Sequence, residues 1–549
     1  MGYFIEICGA DSLGAIHTFY VTSESSFMSS PSDSPANIAF LPCISTAGNF
    51  ERHAWKRATT RGGSSRGFGA VELVNSGGDF DYFLGYGFDG QSITIRSGDS
   101  GAGYPFGLTT LFSGVIVRAE ITWELVKFTI TDRQGDISDR SYQTSKFAGN
   151  NSLPSGVEGV STDLMGKPKP KLKGYSANFA PPCVNTSGLV YQLDDGTALL
   201  PCSNLAVYDR GAPLTAGTHQ TSFSTFMSTT PTVATYDWYA GSEGWFIKLG
   251  SSPSGVITCT ASEGTSLDRT SAQIVRRIWR DIGGVQDSDI LGVDALDAKN
   301  SSEVGIWVGD ETTIGTVVAA ILDSVNGALV DLRDGRFKFC FLVDPATQTI
   351  VAEFESWHIK DFSGLKLTYA SDPGTGLRLS DGVNGELRGK YNSDQDTTAG
   401  IPVWRVLLDW GRNFTIQTAT DLAGIVASNT ARVAYLEKEY RTVDVSDSSV
   451  LLKHKKAPEF SITTQFKDAS AALSEAVNQL ALRKVTRVVV EFPVDPDFAK
   501  TLQLLDTVTI SLSRFNWSVP RPFVIIGMVE DLGSLTRPAI TTLILWGSP

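Results

Sequence analysis

Hydrophobic and polar positions are most regular over Gly305–Asp344. Ile314, Val317, Val318, Ile321, Leu322 and Val325 recur at helical spacing, and Thr312 or Thr313 is placed to cap the helix they predict. Asn326-Gly327 ends it, because both residues tolerate a left-handed backbone. Two apolar runs follow, Ala328–Leu332 and Phe337–Val343, separated by Arg333-Asp334-Gly335-Arg336. An Asp-Gly turn between such runs predicts a hairpin. One amphipathic helix feeding one hairpin makes a docking core and holds no reaction centre.

The flanking pattern is mostly period two, the signature of strands. Tyr3–Cys8 and Ile16–Val21 predict a pair. Phe68–Val74, Ser92–Arg96, Leu111–Val117 and Val126–Asp132 extend the series, and six or seven strands within 130 residues suggest a small barrel or sandwich. Tyr175–Cys183, Val190–Leu193, Ala206–Tyr208, Ala234–Ala240, Gly244–Leu249 and Gly255–Cys259 repeat the habit. Ser271–Gly283 predicts a helix with Ile274, Val275, Ile278 and Trp279 on one side and Arg276, Arg277 and Arg280 on the other. Leu291–Lys299 predicts a second. Ser371–Thr398, rich in Gly, Asp, Asn and Ser, predicts a long loop. Pro402–Phe414 carries a strong apolar pattern, and Asp421–Tyr440 is expected to be largely one helix. Asp468–Leu482 predicts a helix with Ala472, Leu473, Ala476, Leu480 and Ala481 near one face. Val485–Phe492, Thr507–Ser513, Pro522–Met528 and Ile540–Leu545 close the chain as strands. No fixed-period repeat is visible.

The expected class is mainly β with docked helices, α+β and multidomain. The divisions are an N-terminal β-barrel or sandwich over 1–145, a β-rich domain over 146–270, a helix and hairpin domain over 271–400 that is a candidate to complete a tube-like barrel, and a C-terminal α+β domain with terminal strands over 401–549.

Composition sharpens this. The 549 residues include 53 Gly and 29 Phe, with only 19 % charged residues, a balance suited to many turns and large protein contacts. The net charge of -13 argues against a nucleic-acid surface. Met1–Gly14 lacks the basic start of an export signal, and no apolar run reaches 18 residues, so the chain is expected to fold in a cytoplasm without a membrane span.

Each catalytic pattern fails. There is no GxSxG elbow, HExxH, P-loop or Rossmann fingerprint, and the Gly-rich run Gly62–Gly69 reads as turn positions. His17, His53, His219, His358 and His454 are scattered, and none predicts a zinc site. Cys8, Cys43, Cys183, Cys202, Cys259 and Cys340 form no CxxC. They read as buried apolar thiols, with convergence of Cys183, Cys202 and Cys259 on a metal or iron–sulfur cluster as the alternative. Lys167, Lys169, Lys171 and Lys173 read as a solvated crossover ahead of a phosphate site. Asp194-Asp195 reads as a turn, and Glu353 with Glu355 as a solvent-facing strand edge ahead of an acid pair. Trp238 and Trp245, with Tyr236 and Tyr239 nearby, raise a sugar-stacking alternative to core aromatics. Asp132–Asp136 and Asp209-Arg210-Gly211 place charges beside turns and read as interdomain or intersubunit hydrogen-bonding points.

Several segments together carry a resemblance. They are Phe68–Asp99, Val126–Ser138, Gly166–Gly196, Leu205–Gly217, Glu303–Phe339, Ile401–Thr415 and Asp506–Gly547. In this order and spacing the chain resembles baseplate hub or tail-tip proteins of long-tailed, siphovirus-like bacteriophages and gene transfer agents. The resemblance implies two tube-like β-barrel domains of the tail hub type plus smaller α/β domains. It further implies a homotrimer that presents six similar barrels, adapts a hexameric tail tube to a threefold tip, and encloses a DNA channel. Partners implied are the distal tail protein, the tail tube, the tape measure protein and a tail fibre or tip protein. DNA is expected to pass without specific binding, in keeping with the negative charge. The expected place is the distal end of the virion tail, without stable membrane insertion, after synthesis in the host bacterial cytoplasm. The resemblance implies no enzyme, no catalytic residue and no cofactor. Some relatives hold a metal or cluster, for which Cys183, Cys202 and Cys259 are the residues to follow. Alternatives are a distal-tail or tip adaptor, or a cell-wall carbohydrate-binding or hydrolysing tail protein.

Overall fold

The computed structural model describes residues 2–55, 60–61, 65–99, 101–151, 156–360, 365–369, 377–378, 402–514, 517–534 and 537–549. The loop expected over Ser371–Thr398 lies outside them, apart from the strand Leu377–Arg378.

One 16-stranded sheet links the two ends of the chain. From one edge it runs Phe27–Met28, Ala39–Pro42, Ile16–Thr22, Gly2–Ala10, Ser92–Gly98, Thr109–Ile121, Leu125–Asp132, Ser65–Val74 and Ile44–His53. It continues through Arg521–Asp531, Ile540–Gly547, Val488–Val494 and Lys366–Tyr369 to Leu377–Arg378. Its two end strands do not meet. Among the described residues no sheet closes into a barrel, which corrects the expectation of two tube-like β-barrel domains. The early strands are not a separate closed unit: Ile44–His53 continues the ladder into the C-terminal strands instead of returning to the first edge.

The join depends on Arg521–Asp531 serving two neighbours along one edge. Residues 521–524 pair with Thr507–Ser511, and residues 527–531 pair with Ile44–His53. The ladder to Ile540–Gly547 shifts register between Ile525 and Gly527. A Cβ at Gly527 would collide with the His53 ring, so glycine there leaves room for that buried ring to lie over the strand. Gly67 and Gly69, read from sequence as turn positions, lie within the strand Ser65–Val74, where a side chain on Gly69 would strike the Asn49 carbonyl.

Two five-stranded sheets face each other over a core that includes Leu172, Phe179, Val207, Tyr236, Trp245 and Ile247. One contains Lys171–Phe179, Cys202–Asp209, Ile257–Glu263 and Gly305–Val308; the other contains Val190–Asp194, Thr235–Gly241 and Gly244–Leu249.

The helix and hairpin form as the pattern predicts. Thr313 accepts a hydrogen bond from Thr316 N at the start of Ile314–Leu322, and Asn326 adopts φ 50° beyond its end. Gly327–Asp331 pairs with Phe337–Phe341. Strand alternation gives this hairpin two apolar faces. Leu329, Phe337 and Phe339 join the helical core with Ile274, Leu296 and Ile321. Ala328, Val330 and Cys340 join the core of the C-terminal strands with Phe492, Ile525 and Trp546. The hairpin thus wedges the helical layer against the large sheet.

Ala469–Arg483 packs on the small sheet of Arg441–Ser446, Arg405–Trp410 and Glu459–Thr463. Its buried face combines Ala472, Ala476 and Leu480 with Glu475, Gln479 and Arg483, whereas Leu473 points outward. Apolar spacing alone therefore placed Leu473 and the likewise exposed Ala481 on the wrong side, because polar side chains occupy half of the inner face. The single helix expected over Asp421–Tyr440 is two short ones, Gly424–Ala427 and Thr430–Leu436, divided where Asn429 caps the second. Among the described residues no helix is long and apolar enough to cross a membrane.

Candidate functional site

The chemistry-bearing residues gather at the joints between sheets. The first joint starts at Lys171–Phe179, where strand alternation turns Lys171 and Lys173 away from Leu172. Both lysines are buried. This corrects the reading of Lys167–Lys173 as a solvated crossover: its second half is a central strand. Lys171 Nζ donates to both oxygens of Asp195, at 2.9 and 2.7 Å. Lys173 Nζ lies 3.1 Å from Glu263 Oε1, and Arg277 grips the same carboxylate through two nitrogens at 2.6 and 3.0 Å. Arg277, expected on the polar side of its helix, is therefore buried because a carboxylate waits for it. Burial alone would raise the Glu263 carboxyl; Lys173 and Arg277 outweigh it and hold the group below its ordinary value.

Asp194-Asp195 stands at the turn that ends Val190–Asp194, as expected, but both side chains are buried there. Asp194 accepts from the N–H groups of Leu172 and Gly196, each at 2.7 Å. Burial pushes its carboxyl up to about 6, with Lys173 opposing and Asp195 reinforcing the rise. From this joint Arg269 continues to Glu303 at 2.8 Å, and Glu303 to Lys467 at 3.4 Å, which ties the two-sheet sandwich to the C-terminal layer.

A second joint sits where the N-terminal strands, the hairpin and the C-terminal strands meet. Arg52 and Arg333 approach opposite oxygens of Glu530 at 3.1 and 2.8 Å, all three buried. Arg333 also donates to the carbonyls of Leu502, Ala499 and Leu111. Burial pushes its guanidinium down to about 10, with Glu530 opposing. Beside this group Asp132 accepts from Gly135 N at 2.6 Å and caps the helix Arg133–Asp139. Arg133 donates its backbone N–H to Asp331 at 3.0 Å and its side chain to Gly335 O at 2.6 Å. Burial and then Asp132 raise the Asp331 carboxyl well above the ordinary range.

The turn Asp209-Arg210-Gly211 makes a third joint. Arg210 donates to the carbonyls of Thr420, Asp421 and Leu422, each at 3.0 Å, while Asp209 accepts from Ser254 and Gly255. Asn178 bridges the sandwich to Asn413 and Thr415 at 2.8 and 2.7 Å. Sequence inspection missed this bridge; Asn178 at φ 54° within a strand is its structural mark.

The other candidates stay apart. Trp245 is buried in the sandwich, and Tyr236 and Tyr239 are buried as well. Trp238 lines a cleft of about 530 Å³, where His219 stacks on it at 3.7 Å. Glu353 and Glu355 are exposed on Ile350–Glu355. Cys183 belongs to one sheet of the sandwich, and Cys202 and Cys259 to the other. Among the described residues no group of three or more His, Cys, Asp or Glu side chains is arranged to hold a metal ion. A second cleft, of about 600 Å³, lies over the sheet join, lined by Glu51, Phe68, Arg118, Lys127 and Asp531 among others.

No protein-family model matches this chain, and no curated protein sequence matches it. Among solved structures it is similar to a tail protein from Neisseria meningitidis MC58, at 10 % identity and TM-score 0.42, covering 100 % of this chain and 97 % of that one. It is also similar to the 43 kDa tail protein of prophage MuSo2 from Shewanella oneidensis, at 8 % identity and TM-score 0.39, covering 99 % and 97 %. A chain of the virion of a native gene transfer agent particle is similar at 11 % identity and TM-score 0.40, over 74 % of this chain and 92 % of that one. At these identities the likeness concerns fold alone.

Proposed function

We propose that this chain is a structural, non-catalytic component of a phage-type tail, acting as a baseplate hub. The observation that carries the reading is where its resembling segments lie. Val126–Ser138, Gly166–Gly196, Leu205–Gly217, Glu303–Phe339 and Ile401–Thr415 supply Arg133, Lys171, Lys173, Arg210, Arg333 and Asn413, the side chains of the joints. Their charged and polar groups are spent on partners within the chain. Such joints suit a part that transmits load between neighbours, because breaking a buried pair exposes an unpaired charge.

In this reading three copies form a ring at the distal end of the tail, between the hexameric tube and a threefold tip, around the DNA path. Its neighbours are the distal tail protein, the tape measure protein and a fibre or tip protein. The ring is built from open sheets, since closed tubes are absent among the described residues. Light scattering on the full chain, followed by electron-microscope class averages, tests this. A threefold ring is expected. A monomer that stays monomeric with tail-tube protein added overturns the hub, and a sixfold ring transfers the reading to a distal-tail adaptor.

A further inference from the structure

At one corner of the C-terminal layer the chain reads Leu451-Leu452-Lys453-His454-Lys455-Lys456. It follows a turn held by Asp447, which accepts from Ser449 Oγ at 2.6 Å, and it ends where Ala457 N bonds His454 O. Leu452 is 76 % exposed, and Lys453, Lys455 and Lys456 are exposed around it. Among the described residues these three lysines make no ion pair; the nearby Asp447 pairs with Lys484 at 3.1 Å, and Asp444 and Glu459 share Arg405 at 3.0 and 3.1 Å, which leaves one negative charge there against the three lysines. Consecutive residues Val403 and Trp404 bond Arg483 O and Pro458 O, so the end of Ala469–Arg483 lies beside the run. The outer face of that helix carries Leu473, Val477 and Ala481, and Val485 follows it. A protein of net charge -13 thus presents unpaired cations around a protruding leucine, beside the C-terminal end of a helix whose outer face is apolar.

We propose that this corner docks on an anionic lipid surface, with Leu452 entering the acyl boundary and the three lysines at the headgroups. Charge complementarity selects an anionic occupant, and Leu452 separates a bilayer from nucleic acid: a leucine gains nothing against phosphates but gains burial in lipid. This inference goes beyond the hub reading and does not depend on how many copies assemble.

The test is flotation of the full chain with phosphatidylglycerol–phosphatidylcholine vesicles, against phosphatidylcholine alone. Binding is expected only with the anionic lipid, weakening as salt rises. Replacing all three lysines by glutamine is expected to weaken it on the order of a hundredfold, and Leu452→Asp by roughly tenfold. Both variants alter exposed side chains, so unchanged thermal unfolding verifies their fold. Equal flotation with both lipids, or anionic binding untouched by either variant, overturns the proposal. So does absence of vesicle binding alongside duplex DNA binding that the lysine variant abolishes and Leu452→Asp leaves intact.

Discussion

Arg333 meets Glu530 at 2.8 Å, with both side chains only 3 % exposed, across the line where the hairpin docks on the large sheet. Arg52 takes the other carboxylate oxygen from the N-terminal strands. One acid thus holds two guanidiniums that belong to separate elements. Glu530→Gln leaves two buried cations without a counter-charge, and the expected loss is about 3–5 kcal/mol in urea unfolding. Arg333→Lys is expected to be nearly as costly, because an ammonium cannot reach Glu530 and three carbonyls in the planar arrangement of a guanidinium. Hydrogen exchange should rise first in Ile44–His53 and Arg521–Asp531, whose ladder this group backs.

Glu263 sets an acid limb. Its carboxyl is held below the ordinary value of 4.5 in the fold by Lys173 and Arg277, against the effect of burial. An acid depressed in the native state binds fewer protons there than in the unfolded chain. Its contribution is therefore complete above about pH 4.5 and is lost as pH falls through the folded value. Glu263→Gln is expected to cost about 3–5 kcal/mol at neutral pH. It should also flatten the acid side of a plot of unfolding free energy against pH. An unchanged acid limb would show that the pairing contributes nothing.

Asp331 predicts the opposite slope. Burial and the neighbouring Asp132 raise its carboxyl, while Arg52 and the Arg133 N–H oppose them. A raised acid holds its proton longer in the native state, so stability falls as pH rises through the interval above the ordinary value. One of its oxygens accepts no hydrogen bond. Asp331→Asn retains an acceptor for Arg133 and removes the buried charge. It is expected to be more stable than the parent at neutral pH by at least ~1 kcal/mol, with the difference vanishing in acid. Thermal unfolding at several pH values measures both.

The local elements were legible because their signals are local. Thr313, the apolar run to Val325 and Asn326 specify a helix through neighbours in sequence, and Asp334-Gly335 specifies the hairpin. The sheet order was not legible, since a strand's second edge is chosen by residues hundreds of positions away. Nothing in Ile44–His53 declares Arg521–Asp531 as its partner, so a barrel and an open sheet look alike along the chain. The joints were hidden for a related reason. A lysine run such as Lys167–Lys173 predicts solvent unless Asp195 and Glu263 are known to face it. The turns at Arg133 and Arg210 were more visible, because an Arg beside Gly and Asp advertises a planar donor at a bend.

The cysteines give a last test of that difference. The sequence left Cys183, Cys202 and Cys259 open to convergence, yet Cys183 pairs opposite Tyr191 in one sheet, whereas Cys202 and Cys259 lie in the other, opposite Glu263 and Val207. Cys259 and Cys340 are buried, and burial raises both thiols, that of Cys340 to about 12. A thiolate is the reactive form, so shielding and a raised thiol both suppress alkylation. Iodoacetamide at mildly alkaline pH is expected to leave Cys259 and Cys340 unmodified in the native protein and to label them once urea unfolds it, as read by peptide mass mapping. Cys43, half-buried with its thiol also pushed up to about 12, should react slowly by the same logic. Rapid native labelling of Cys259 would require the sandwich to open without unfolding. That would contradict the Lys173–Glu263–Arg277 joint, because Glu263 and Cys259 share the strand Ile257–Glu263.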